Sequence, residues 1–305
     1  MRRDPPLAER VGRRLRCAAV AALAALSAIT AASPARADEH RLVWRDEWPK
    51  FQPSEYAYTS ALWLSYLAVE LWAPAIDEPR WQRPLPGDTI TRNLLVASTR
   101  KGRESAGLWS DVLWIGTQVQ VWLDSAAVPL FLDDLNVEVA AQITLMNAEA
   151  MGPTGLISRL MHRTIGRERP GKIGCRRDKH YERTCGLPDA ASFPSGHTSA
   201  SFVAAGLSCA HHQYLGLYGH PAADGAMCAA MLLASSGNGV LRLVADRHWL
   251  SDVIVGAAIG FGLGYGLPTL LHYGYEGPLT REAPGALTLV ERAPARVPWR
   301  VSVPF

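Results

Sequence analysis

The sequence predicts an all-α protein, and three observations carry that reading. Six stretches are apolar over lengths that suit helices, at residues 59–76, 108–132, 137–163, 198–214, 225–244 and 251–273. Polar connections separate them, among them 77–107, where Pro79, Pro84, Pro86 and many charges read as a long loop. The last stretch carries Gly256, Gly260 and Gly264 at four-residue spacing, which lets a second helix pack closely against it. The 305 residues show no internal repeats or low-complexity tracts, and the length suits one catalytic domain.

Taken in order, residues 1–37 read as an export signal rather than as structure. Arg2, Arg3, Arg10, Arg13, Arg14 and Arg16 form a basic start, residues 17–32 are apolar, and Ala35-Arg36-Ala37 offers a cleavage site. The pair Arg13-Arg14 is compatible with twin-arginine export, and the alternative is an uncleaved anchor, for which the apolar core is short. Residues 38–58 are polar and Trp-rich and read as an extended lead-in, 59–273 form the helical domain, and 274–305 form an irregular tail or short β-hairpin. Cys175, Cys185, Cys209 and Cys228 allow three pairings. In an oxidising compartment Cys175 with Cys185 staples a basic loop and Cys209 with Cys228 ties two consecutive helices; buried free thiols are the alternative for the second pair.

The chemistry concentrates in three short segments: GRERP at 166–170, FPSGH at 193–197 and RLVADRHWLSD at 242–252. A tetrahedral phosphate dianion favours planar, permanently charged guanidinium groups, and Arg169 and Arg242 fit that role. Ser195 and Gly196 stand at the start of an apolar helix, where unpaired backbone N–H groups face an anion and glycine permits close approach. His248 is the candidate nucleophile, with Asp252 four residues on to orient the ring. His197 is the candidate acid for the leaving oxygen. The remaining histidines, His40, His180, His211, His212, His220 and His272, read as surface or loop residues.

Together these segments resemble the signature of the type 2 phosphatidic acid phosphatase family, which includes bacterial acid phosphatases and vanadium haloperoxidases. The family pattern runs Lys-x6-Arg-Pro, then Pro-Ser-Gly-His, then Ser-Arg-x5-His-x3-Asp. The second part is complete here and the others carry one change each: His162 stands in the place of the lysine, with Arg163 beside it, and Leu241 replaces the serine before Arg242. If His162 fills the lysine's place, phosphate binding tightens on acidification. The resemblance implies a six-helix bundle of the acid phosphatase/vanadium haloperoxidase type.

The resulting expectation is an exported phosphatase of the periplasm or cell envelope that works through a phosphohistidine on a lipid phosphate or small phosphate ester. It needs no metal or other cofactor, because arginines supply the positive charge. Alternatives are vanadate chemistry at His248 and a catalytically silent anion- or lipid-binding protein. The net charge of +3 implies no nucleic-acid partner, although Arg176, Arg177, Lys179 and Arg183 make one loop basic enough to draw anionic substrates or headgroups. Residues 253–271 carry no charge and are long enough to span a membrane, whereas Glu70, Asp111, Asp124 and Glu149 interrupt other helices. With a mean hydropathy of zero, that favours a soluble or peripheral enzyme with possible membrane association.

Overall fold

Residue 53 is proline, and it opens the first helix at the position where a missing N–H costs nothing. Gln52 and Glu55 close a reciprocal capping box around it. Helix α1 therefore runs Pro53–Trp72, starting six residues before the apolar stretch that predicts it. The structure, a computed structural model, describes residues 42–186 and 189–274. Residues 1–41, which include His40 and the stretch that reads as an export signal, and residues 275–305 of the tail lie outside the described residues.

The other helices are α2 (Asp88–Leu95), α3 (Arg100–Ala127), α4 (Val137–Thr164), α5 (Gly171–Arg177), α6 (Gly196–Leu215), α7 (Pro221–Val244) and α8 (Leu250–Pro268). Single π-helical stretches, Val128–Leu132 and Thr269–Tyr273, extend α3 and α8. All-α is thus correct for the described residues, but they hold eight helices and not six. The two additions are short and lie in stretches that read as loops. Helix α2 starts where the prolines stop, after Gly87 turns the chain at φ +88°, a conformation open to glycine. Helix α5 has no apolar face of its own to reveal it; its first amide is held by the carbonyl of Asp246, far along the chain.

Helices α6 and α8 form the tightest contact. A Cβ at Gly260 would lie 2.2 Å from the Ser199 carbonyl oxygen, and one at Gly264 2.2 Å from that of Val203. The glycine stripe is therefore what lets the two backbones touch. The lead-in packs as well: Leu42, Trp44 and Trp48 are buried with Tyr273 and Ile143. Disulfides join Cys175 to Cys185 and Cys209 to Cys228.

Polarity is partly inverted across the bundle. His211, His212 and His272 are buried, which corrects their reading as surface residues; His180 and His220 are exposed. His211 bonds Tyr273 and Asn147, His212 lies between Asp224 and Asp124, and His272 meets Glu149. Two of the carboxylates that seem to interrupt helices, Asp124 and Glu149, thus point inward and are paired. Outward, α3 exposes Leu108, Val112, Ile115, Val119 and Leu123, and α1 exposes Leu64, Leu67 and Leu71, each at helical spacing. By length and composition alone, α7 and the stretch Leu250–Tyr273 could each cross a membrane.

Candidate active site

Between α7 and α8 the chain turns through Asp246, whose φ of +57° is left-handed. That turn is held from three sides. Arg92 of α2 clasps the Asp246 carboxylate with two bonds of 2.7 Å, Tyr181 donates its hydroxyl at 2.8 Å, and Gly171 of α5 bonds the carbonyl. Both short helices thus brace the loop that carries His248.

His248 is 3% exposed, and its Nδ1 lies 2.8 Å from the Ser192 carbonyl. A carbonyl only accepts, so Nδ1 carries the proton and Nε2 presents a lone pair. Burial, then the positive charges of Arg169 and Arg242, hold the ring well below the usual imidazole range, so it stays neutral. Asp252 plays a different part from the one its spacing suggests. Its Oδ2 is 3.7 Å from His248 Nδ1, too far for a hydrogen bond, and instead accepts from Ser192 Oγ at 2.6 Å and Trp249 N at 2.8 Å. Asp252 therefore fixes the strand of chain whose carbonyl fixes His248.

Arg169 sits 2.7 Å from Asp189 and reaches the carbonyls of Ala191 and Arg247. Arg242, 6% exposed, donates to Ser110 Oγ at 3.1 Å and lies 3.6 Å from Asp111 Oδ1. The same Asp111 oxygen is 3.0 Å from His197 Nε2, and the His197 ring packs on Trp114. One carboxylate oxygen thus lies within reach of both an arginine and a histidine. Burial, then Arg242 and Arg169, push His197 down to about 3.

Ser195 and His162 differ from the expectation. The Ser195 amide donates to the Asp252 carbonyl at 3.0 Å and its hydroxyl pairs with Thr198, so neither is available to a phosphate in this arrangement. Gly196 opens α6, and the nearest atom to a Cβ placed there is His162 Cε1 at 3.6 Å, an ordinary contact. His162 donates from Nε2 to the Pro194 carbonyl at 2.7 Å, while its Nδ1 is buried without a partner. Burial, with smaller help from Arg169, pushes it down to about 4. It is neutral near pH 7 and does not replace a lysine's charge. A cavity of about 120 Å³ beside it is lined by Arg159, Arg163 and Asp189.

Arg167 escapes any reading of the sequence. It is 1% exposed, donates to Asp252, to Asp88 at 2.6 Å and to Ser251 at 2.7 Å, and lies 4.0 Å from the Trp81 ring centroid. It looks like one more charge of a basic loop because its partners lie 79 and 85 residues away.

Residues 144–275, which contain all three motif segments, match the PAP2 superfamily model. The chain is also similar to the lipid A 1-phosphatase of Porphyromonas gingivalis, 36% identical over 104 residues that cover 32% of this chain and 22% of that protein. It therefore matches about a fifth of that relative's length. No solved structure gives a significant match. Over residues 144–275, which hold its three motif segments, this chain is thus similar to the PAP2 superfamily, that of the type 2 phosphatidic acid phosphatases.

Proposed function

We propose that the protein is a membrane-associated phosphatase that cleaves a phosphomonoester of a lipid through a phosphohistidine. The observation that carries this is His248, whose tautomer is set by the Ser192 carbonyl so that a neutral Nε2 is left beside Arg169 and Arg242. Nε2 attacks phosphorus, the bond to the leaving oxygen breaks, and His197 protonates that oxygen. Water then attacks the phosphohistidine, returns a proton to His197 and frees phosphate and His248. In the free site His197 is neutral. The bound phosphate brings the negative charge that raises it to a working acid. Arg169 and Arg242 stabilise the charge on the phosphoryl oxygens, so this chemistry asks for no metal at the reacting centre.

Three features support a lipid substrate and a membrane address: the outward apolar stripes of α1 and α3, the two helices long enough to span, and the lipid phosphatase to which the chain is similar. The two disulfides support export to an oxidising compartment. The test is phosphate release from phosphatidic acid micelles and from p-nitrophenyl phosphate by wild type and His248→Ala. The reading expects turnover of both substrates, faster on the lipid, and loss of both in the variant. Equal turnover by His248→Ala overturns the nucleophile assignment, and a preference for p-nitrophenyl phosphate overturns the lipid one.

A further inference from the structure

Well away from the catalytic end, three groups that can ligate a metal converge in the interior. Glu55 of α1, Glu149 of α4 and His272 in the π-helical end of the last element each offer a donor atom, all within 4.8 Å of one another. Thirteen residues of α4 separate Glu149 from His162, which places the cluster ~20 Å from the phosphate site at 1.5 Å per residue. It therefore takes no part in phosphoryl transfer. Glu149 is 1% and His272 0% exposed.

The hydrogen bonding within the cluster is incomplete in a specific way. His272 Nδ1 is 3.1 Å from the Pro49 carbonyl, which only accepts, so this nitrogen carries a proton. The neutral ring then directs the Nε2 lone pair at Glu149 Oε2, 3.0 Å away. Two lone pairs at that distance need a cation between them, either a second ring proton or a metal ion. A proton leaves Glu149 Oε1, which is buried and accepts no hydrogen bond, with its charge unanswered. It also leaves one positive charge to serve two carboxylates, since among the described residues Glu55 otherwise has only the capping bond from the Gln52 N–H. A divalent ion satisfies all three. A backbone carbonyl on the far ring nitrogen is the arrangement that orients a ligating histidine, and Phe51 stacks on the His272 ring, its centroid 5.7 Å away, to close the site.

We propose that Glu55, Glu149 and His272 bind one divalent transition-metal ion of the zinc or manganese type, a choice that follows from one imidazole and two carboxylates as donors. The ion clamps the start of α1 to the middle of α4 and the end of the last helical element. It is structural, and the proposal does not depend on the phosphatase reading.

The experiment is elemental analysis of the full-length, tag-free protein as purified in detergent, followed by calorimetric titration of chelator-treated protein with Zn²⁺ and with Mn²⁺. About one bound equivalent per chain is expected, together with a higher melting temperature on metal addition. Affinity should fall at least about tenfold in Glu149→Gln and His272→Gln, and His248→Ala should keep its equivalent. Purified wild type that carries no divalent metal and gains neither heat nor melting temperature from either ion overturns the proposal, leaving a protonated His272 between two acids. Unchanged affinity in both variants overturns it too. If either variant fails to fold, Glu55→Gln and the wild-type titration decide alone.

Discussion

His248 and His212 are both almost fully buried, at 3% and 2% exposure, yet the fold disfavours the charged form of the first and favours that of the second. At the catalytic end His248 meets a backbone carbonyl on one nitrogen and the fields of two arginines, so burial is reinforced and the ring stays neutral. Toward the far end of α6, His212 lies between Asp224 at 2.7 Å and Asp124 at 3.2 Å. Burial again opposes the charge, but hydrogen bonds to the two aspartates outweigh it and lift His212 above its usual value. The comparison teaches that partners, and not depth, decide whether a buried imidazole acts as a nucleophile or as a cationic brace.

The strongest way to break the comparison is to remove each ring. His248→Ala should cost at least roughly 10³-fold in kcat while leaving the melting temperature nearly unchanged. His212→Ala should do the reverse, destabilising by about 3–5 kcal/mol because two buried aspartates lose their counter-charge. Parallel kinetics and thermal melts check both, and a His212 variant that melts like wild type contradicts the brace.

Arg167→Met is expected to act next in size, by about 3–5 kcal/mol, since Asp88 and Asp252 would be left buried and unpaired. Because Asp252 anchors Ser192, this variant should also lower kcat at temperatures where it remains folded, and single-turnover kinetics reads that directly. His197→Gln should cost roughly 10²- to 10⁴-fold on a lipid phosphate but much less on p-nitrophenyl phosphate, whose leaving group needs no proton. An equal loss on both would remove His197 from the acid role.

The smallest effect is on pH. His162 and His197 have folded values of about 4 and about 3, below the unfolded value of about 6.5. The unfolded chain therefore takes up protons first, and their contribution to stability is lost as pH falls from about 6.5 through about 4 for His162 and about 3 for His197. His212 runs the other way, stabilising fully below its unfolded value and losing that as pH rises through its raised folded one. A His162→Gln/His197→Gln double variant should flatten the acid limb of a melting-temperature profile. The low value of His162 also moves any acid tightening of phosphate binding down to about pH 4, well below the range its ordinary pKa implies.

Much of the fold, and the residues that make up the candidate site, could be named from the sequence because those signals are local. Six long helices follow from apolar stretches, and Arg169, His197, Arg242 and His248 follow from short segments of suggestive chemistry. What was not legible depends on distant partners. Ser192 is an unremarkable serine until its carbonyl meets a residue 56 positions later. The spacing of His248 and Asp252 pointed to a direct bond, but Asp252 is taken by Arg167, Ser192 and Trp249. His211, His212 and His272 carried no local mark of burial, since Asn147, Asp124 and Glu149 lie on other helices. Asp124 and Glu149 find their partners in the interior for the same reason, and the helices that carry them are not among those apolar enough to span a membrane.

The central claim is that His248 Nε2 becomes covalently phosphorylated. Rapid acid-free quenching of wild type mixed with ³²P-labelled phosphatidic acid, followed by peptide mapping, tests it most directly. The account predicts transient label on the His248 peptide that survives base and is lost in acid, and that is absent from His248→Ala. Full phosphate release with no enzyme-bound label at any time, when release is slowed enough to observe it, would contradict the account.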